Sequence, residues 1–216
     1  MKKNFQDDDR ENAMRLLFNL KKDEKEGRAG IDAFLDIDNQ NIPFELKTTS
    51  NGSVTTVRDF GYDHIEKWKN KHWLIGFFIK GEEYYKYLSP QMMKNWIDKK
   101  KEYIQPDFQL SNILSAKLTM EDMYKIVGEK NCYTLHDIKS IQKRQYTTQQ
   151  YIDLQDMETG YSPHAMLNII QDRAKYLVDR GSTLNNPHIP FTYFNGIEKI
   201  VENHAEELRR QVRNFI

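Results

Sequence analysis

Apolar residues change their spacing several times along the chain, and each spacing selects an element. Ala13, Met14, Leu16, Leu17 and Leu20 recur at helical intervals behind the acids Asp7, Asp8 and Asp9. That predicts an N-terminal helix that continues through the charged run 21–26 to a C-cap at Gly27. The period then falls to two, predicting strands over 31–38 and 42–49 joined by the polar turn Asn39-Gln40-Asn41. A loop at Asn51-Gly52-Ser53 follows, then a helix over 62–71, a buried strand over 73–79, and a short strand over 84–88.

Pro90 opens a further helix to about residue 103. Thr119 caps a helix to Val127, Thr134 caps another to Gln145, and Ser162-Pro163 starts one that ends at Gly181. Asn185-Asn186-Pro187 leads into a strand over 188–194, and a last helix begins near Ile197. The expected fold is α/β, a mixed central β-sheet flanked by helices, with a mostly helical insertion over 102–160. One domain, 1–216, accommodates it.

Composition narrows the class. The 216 residues carry 32 Lys and Arg against 32 Asp and Glu, with 38% hydrophobic and 30% charged positions. This excludes collagen-like, low-complexity and disordered chains, and the length suffices for a core without staples. The longest apolar stretch, 73–79, is too short for a bilayer, and the opening residues lack the apolar run of a secretory signal. A single cysteine, Cys132, excludes an internal disulfide and a Cys-rich zinc module. Six histidines show no zinc spacing. A soluble, cytoplasmic protein with no membrane partner is expected. Zero net charge gives no global sign of a polyanionic partner, so nucleic-acid contact rests on local residues.

The candidate chemistry is Asp32 with Glu45-Leu46-Lys47. Residues two apart on a strand face the same way, so Glu45 and Lys47 share a side of the sheet, and a neighbouring strand brings Asp32 beside Glu45. Two adjacent carboxylates repel, and a hard divalent cation such as Mg2+ relieves them while leaving room for a phosphodiester oxygen. The ammonium can orient an attacking water and stabilise charge at phosphorus. Acid-x-Lys also occurs at Asp23/Lys25, Asp98/Lys100 and Asp137/Lys139. Those pairs lie in charged helical segments that read as solvated faces. An exposed Glu/Lys pair at a sheet edge is the competing reading of Glu45 and Lys47.

Three segments carry a family resemblance: Gly27-Arg28-Ala29-Gly30-Ile31-Asp32-Ala33, Glu45-Leu46-Lys47-Thr48, and Leu184-Asn185-Asn186-Pro187-His188-Ile189-Pro190. In that order they resemble motifs of type II restriction endonucleases of the PD-(D/E)xK superfamily, over roughly residues 27–88 and 184–200. The resemblance implies a restriction-endonuclease-like fold with its catalytic core over 27–101 and recognition residues within 161–216. It makes Asp32 and Glu45 the Mg2+ ligands, assisted by the Leu46 carbonyl, and Lys47 the catalytic lysine. Asn185 and Asn186 correspond to base-reading asparagines, a role suited to an amide facing an adenine edge. His188 lies beside them.

The chain departs from the family in two places. The family's histidine cluster after the catalytic strand is absent. Thr55, Thr56 and Arg58 stand there instead, able to contact bases or phosphates. Ala29 replaces an acid. The longer interval between Asp32 and Glu45 leaves Asp36 as an alternative first ligand if the hairpin register differs. The basic segment 139–144 reads as a solvated face, with a rest for DNA phosphates as the alternative, and the tyrosines Tyr84, Tyr85 and Tyr87 read as sheet packing.

The function expected from the resemblance is Mg2+-dependent cleavage of both strands of a short palindromic double-stranded DNA site. The enzyme would be a C2 homodimer, with the N-terminal helix (1–26) in the dimer contact and blunt ends as product. The alternatives are another nuclease of the superfamily, such as a repair nickase or junction resolvase, and a DNA-binding module with a vestigial site.

Overall fold

A computed structural model describes residues 6–22, 30–143 and 145–216. The expected cap at Gly27, the pair Asp23/Lys25, the motif positions 27–29, Arg144 and the side chains of Asp7 and Asp8 lie outside the described residues.

The first helix, α1 (Gln6–Leu17), is shorter than its spacing predicts. Asn19 adopts φ 51°, and the turn there carries Phe18 and Leu20 into the core, where both are buried. Lys21 then joins the sheet margin, exchanging backbone hydrogen bonds of 2.8 and 2.7 Å with Phe34. Burial of two large side chains outweighs continuation of an exposed charged helix.

Strands β1 (Ala33–Ile37) and β2 (Gln40–Thr49) form the predicted hairpin. Its tight turn is Asp38-Asn39, one residue earlier than expected. Both adopt positive φ, 48° and 61°, the conformation that two-residue hairpin turns require and that Asp and Asn tolerate. After β3 (Val54–Thr55) and α2 (Tyr62–Trp68) come β4 (His72–Ile79) and β5 (Glu82–Leu88). The four-stranded sheet runs β1-β2-β4-β5. β2 and β4 are parallel and the outer pairs antiparallel, so the chain between β2 and β4 makes the crossover that parallel pairing demands.

Alternation sorts β2 into two faces. Ile42, Phe44 and Leu46 point into a core shared with Leu35, Leu74 and Tyr85, and with Met14 of α1. The same core takes Leu208 and Val212 from α8 (His204–Arg213). On the other face Trp73, Ile75 and Phe77 are buried. The rings of Trp68 in α2 and Trp73 pack edge to face at 4.8 Å, near Trp96 of α3 (Pro90–Ala116). Glu45 and Lys47 belong to this second face. Tyr84, Tyr85 and Tyr87 are buried, as the packing reading expects.

Helix α2 ends at Trp68 and not at 71, and three further boundaries depart more widely from expectation. Helix α3 continues past 103 to Ala116, and through Pro106, with Ile104 buried and Ser111 Oγ donating to the Lys175 carbonyl at 3.1 Å. The predicted strand 188–194 pairs only at β6 (His188–Ile189) before a 3-10 turn over Phe191–Phe194. Pro190, which has no N–H to donate, ends the ladder there. The last helix starts at His204 because Ile200 is drawn into backbone pairing with Tyr85, at 3.0 and 2.8 Å.

Internal contacts divide the chain into two compact units, residues 1–102 with 184–216, and residues 103–183. The single domain read from the sequence is thus partitioned by contacts, and the helical unit takes in more than 102–160. Within it α4 (Met120–Val127), α5 (Leu135–Gln142) and α6 (Thr148–Asp153) each begin with a capping box, on Thr119/Asp122, Thr134/Asp137 and Thr147/Gln150. With α7 (Pro163–Gly181) they enclose a core that includes Met123, Tyr133, Tyr161, Met166 and Ile169. Among the described residues no helix is long and apolar enough to cross a membrane.

Candidate active site

The hairpin register decides which acids meet. Ala33 pairs with Phe44, so Asp32, just before β1, lies level with Glu45. Asp32 Oδ2 accepts a hydrogen bond from the Leu46 N–H at 2.9 Å, and its own carbonyl accepts from Arg15 at 3.1 Å. Asp36 pairs with Asn41 at the turn end of the hairpin and forms an exposed ion pair with Lys21. The register thus keeps Asp36 outside the cluster.

Lys47 Nζ is the focus of the cluster. It lies 3.0 Å from Glu45 Oε1, 3.5 Å from Asp32 Oδ2 and 4.0 Å from Glu11 Oε1, and donates to the Leu46 carbonyl at 2.7 Å. A second ammonium, Lys71, stands 2.9 Å from Glu45 Oε2 and is almost fully buried. Sequence reasoning missed both Glu11 and Lys71. Glu11 lies on an amphipathic helix among many acids, where spacing gives no signal. Lys71 sits one residue before β4, and only the parallel pairing of Phe44 with His72 brings it to Glu45.

The charges are strongly coupled. Burial opposes ionisation of Glu45, but the Lys47 and Lys71 ammoniums hold its carboxyl well below the usual range. Burial likewise opposes the Lys47 ammonium, and the carboxylates of Glu45, Asp32 and Glu11 hold its pKa above the ordinary value. Burial pushes the Glu11 carboxyl up to about 7; Lys47 pulls against this, and Asp32 adds to it. The competing reading of Glu45 and Lys47 as an exposed edge pair does not describe them, since Glu45 is 5% exposed.

A divalent cation fits this donor set in kind. Four oxygens, from Asp32, Glu45, Glu11 and the Leu46 carbonyl, lie within 4.0 Å of one cationic nitrogen, and all are hard ligands of the type Mg2+ takes. Among the described residues no group of three His, Cys, Asp or Glu side chains is arranged as a metal site. The pair Asp32 and Glu45 with one carbonyl is the set that remains, few enough for a cation that keeps most of its water.

The residues expected to read DNA come from distant parts of the chain and meet in one ribbon. β3 pairs antiparallel with β6, Thr55 opposite His188, with Thr55 Oγ1 and His188 Nδ1 3.3 Å apart. Thr56 Oγ1 donates to the Pro187 carbonyl at 2.6 Å, and the Asn186 N–H donates to the Val57 carbonyl at 3.1 Å. Arg58 and Asn185 are exposed beside this ribbon. Asn186 has φ 50°, a left-handed conformation that Asn tolerates well. Of the other acid-x-Lys pairs, Asp98 faces Lys94 and Asp137 closes the cap of α5. Lys139 lies 5.8 Å from the Tyr151 ring centroid, which binds it into its own helical unit.

No protein-family model matches the chain, and no curated protein is significantly similar to it.

Proposed function

We propose that the chain is a Mg2+-dependent type II restriction endonuclease that cleaves both strands of a short palindromic site in double-stranded DNA. The observation carrying this reading is Lys47 Nζ held among Asp32, Glu45 and the Leu46 carbonyl. A purely structural lysine needs one partner; this one has a surplus of oxygens, which suits a site that also takes a metal. Asp32 and Glu45 would hold Mg2+, which when bound supplies Lewis acidity to a phosphoryl oxygen. Lys47 orients the water whose oxygen forms the new bond to phosphorus, and it stabilises the charge that builds as the bond to the leaving sugar oxygen breaks.

The four-stranded mixed sheet is read as the restriction-endonuclease-like core. The β3–β6 ribbon is read as the groove contact, with Arg58 and Asn185 on base edges and Thr55, Thr56 and His188 on the backbone or bases; Asn186 shapes the turn that presents Asn185. Cutting two strands from one site per chain calls for a homodimer. Leu16 on α1, 85% exposed, supports the helix as part of that contact. Cytoplasmic location follows from the function.

Digestion of mixed genomic DNA with Mg2+, followed by sequencing of fragment ends, tests the proposal. One shared sequence at the ends supports a restriction enzyme and gives the cut position. Random ends or nicks point to another nuclease of the same chemistry, and intact DNA contradicts the reading.

A further inference from the structure

Beside Lys47 lies a polar pocket of about 310 Å3, lined among others by Arg10, Glu11, Thr48, Asn51 and Thr55. It therefore extends from α1, past the end of β2, to the ribbon strand β3. Arg10 is the unexplained wall. Its guanidinium lies over the Phe78 ring, 4.7 Å from the centroid. Lys47 is already surrounded by carboxylate oxygens.

Both the shelf under Arg10 and the opposite rim are fixed by the sequence. Phe78 is packed against the core, and Gly76, two residues earlier on the same face, leaves its ring room: a Cβ there would lie 3.0 Å from Phe78. Thr49 Oγ1 accepts from the Gly52 N–H at 3.1 Å and donates to the Ser53 carbonyl at 2.8 Å, pinning the loop that supplies Asn51. A guanidinium stacked on a ring keeps its N–H edges directed outward in a plane, the geometry that grips a phosphate through two parallel hydrogen bonds.

We infer that this pocket is a phosphate subsite, in which Arg10 holds a backbone phosphodiester next to the one presented to Lys47. The inference rests on the nuclease reading and adds a residue and a ligand group to it. Arg10 touches a phosphate that does not react, so it acts in binding and in setting strand position.

Binding of a mixed-sequence DNA duplex, followed by fluorescence anisotropy with Ca2+ in place of Mg2+, tests it between about 50 and 200 mM salt. Arg10→Gln should weaken binding and flatten the plot of log affinity against log salt by about one unit, the share of one phosphate contact. Arg10→Lys, which keeps the charge but loses the planar fork, should retain the slope with part of the affinity lost. If Arg10→Gln binds with the wild-type slope, or weakens with no change of slope, the phosphate role is overturned while the nuclease reading stands. Should Arg10→Gln fail to fold, the Arg10→Lys slope decides: a value flatter than wild type contradicts the proposal. If the wild-type protein neither binds nor cuts DNA, both inferences fall together.

Discussion

Lys71 Nζ lies 2.9 Å from Glu45 Oε2, with both side chains buried. Because Lys47 takes the other carboxylate oxygen at 3.0 Å, Glu45 is clamped between two ammoniums, one on its own strand β2 and one just before the parallel strand β4. Desolvation would otherwise drive it towards its neutral form. The clamp keeps it ionised and fixes its plane.

Breaking such a pair leaves a buried charge uncompensated. Lys71→Met should therefore cost about 3–5 kcal/mol of folding stability, read from urea unfolding. The double variant Glu45→Gln/Lys71→Met should recover much of that loss, because neither buried charge then remains. A Lys71→Met protein within about 1 kcal/mol of wild type would show that Glu45 does not depend on this partner.

Glu11 makes stability depend on pH. With its carboxyl pushed by burial to about 7 from an ordinary 4.5, the folded chain binds more protons than the unfolded one between these values. Its contribution is then fully present below about pH 4.5 and lost as pH rises through about 7. In chelator-containing buffer, wild type should lose stability relative to Glu11→Gln across that window, as followed by urea unfolding at several pH values. A difference that stays constant with pH would contradict the burial of Glu11.

Most of the elements were legible because local chemistry specifies them. Alternation in 42–49, the caps at Thr119, Thr134 and Ser162, and the polar turn near Asn39 act within a few residues. The cluster of Asp32, Glu45 and Lys47 was legible too, since strand parity puts Glu45 and Lys47 on one face and the hairpin brings Asp32 level with Glu45. Lys71 and Glu11 were not, because they reach the cluster through parallel pairing and helix docking, which leave no local trace. The strand expected over 188–194 failed for a related reason: β6 exists only where β3 offers a partner, two residues long.

Gly76 offers a test of the sheet itself. A methyl group there would meet Phe78, Tyr85 and Met14 at 3.0, 3.1 and 3.3 Å, and these groups pack in the core. Gly76→Ala should cost about 1–3 kcal/mol through overpacking and displace the Phe78 ring. Thermal unfolding followed by circular dichroism measures this, and an unchanged midpoint would mean the neighbours yield freely.

The most direct test of the site is cleavage of supercoiled plasmid by wild type and Lys47→Ala, with Mg2+ and with chelator. Wild type should yield linear or discrete fragments only with Mg2+. Lys47→Ala should cut about 10²–10³-fold more slowly while still binding DNA in Ca2+. Equal activity of the two proteins, or no cleavage by either on any DNA, would contradict a nuclease centred on Lys47.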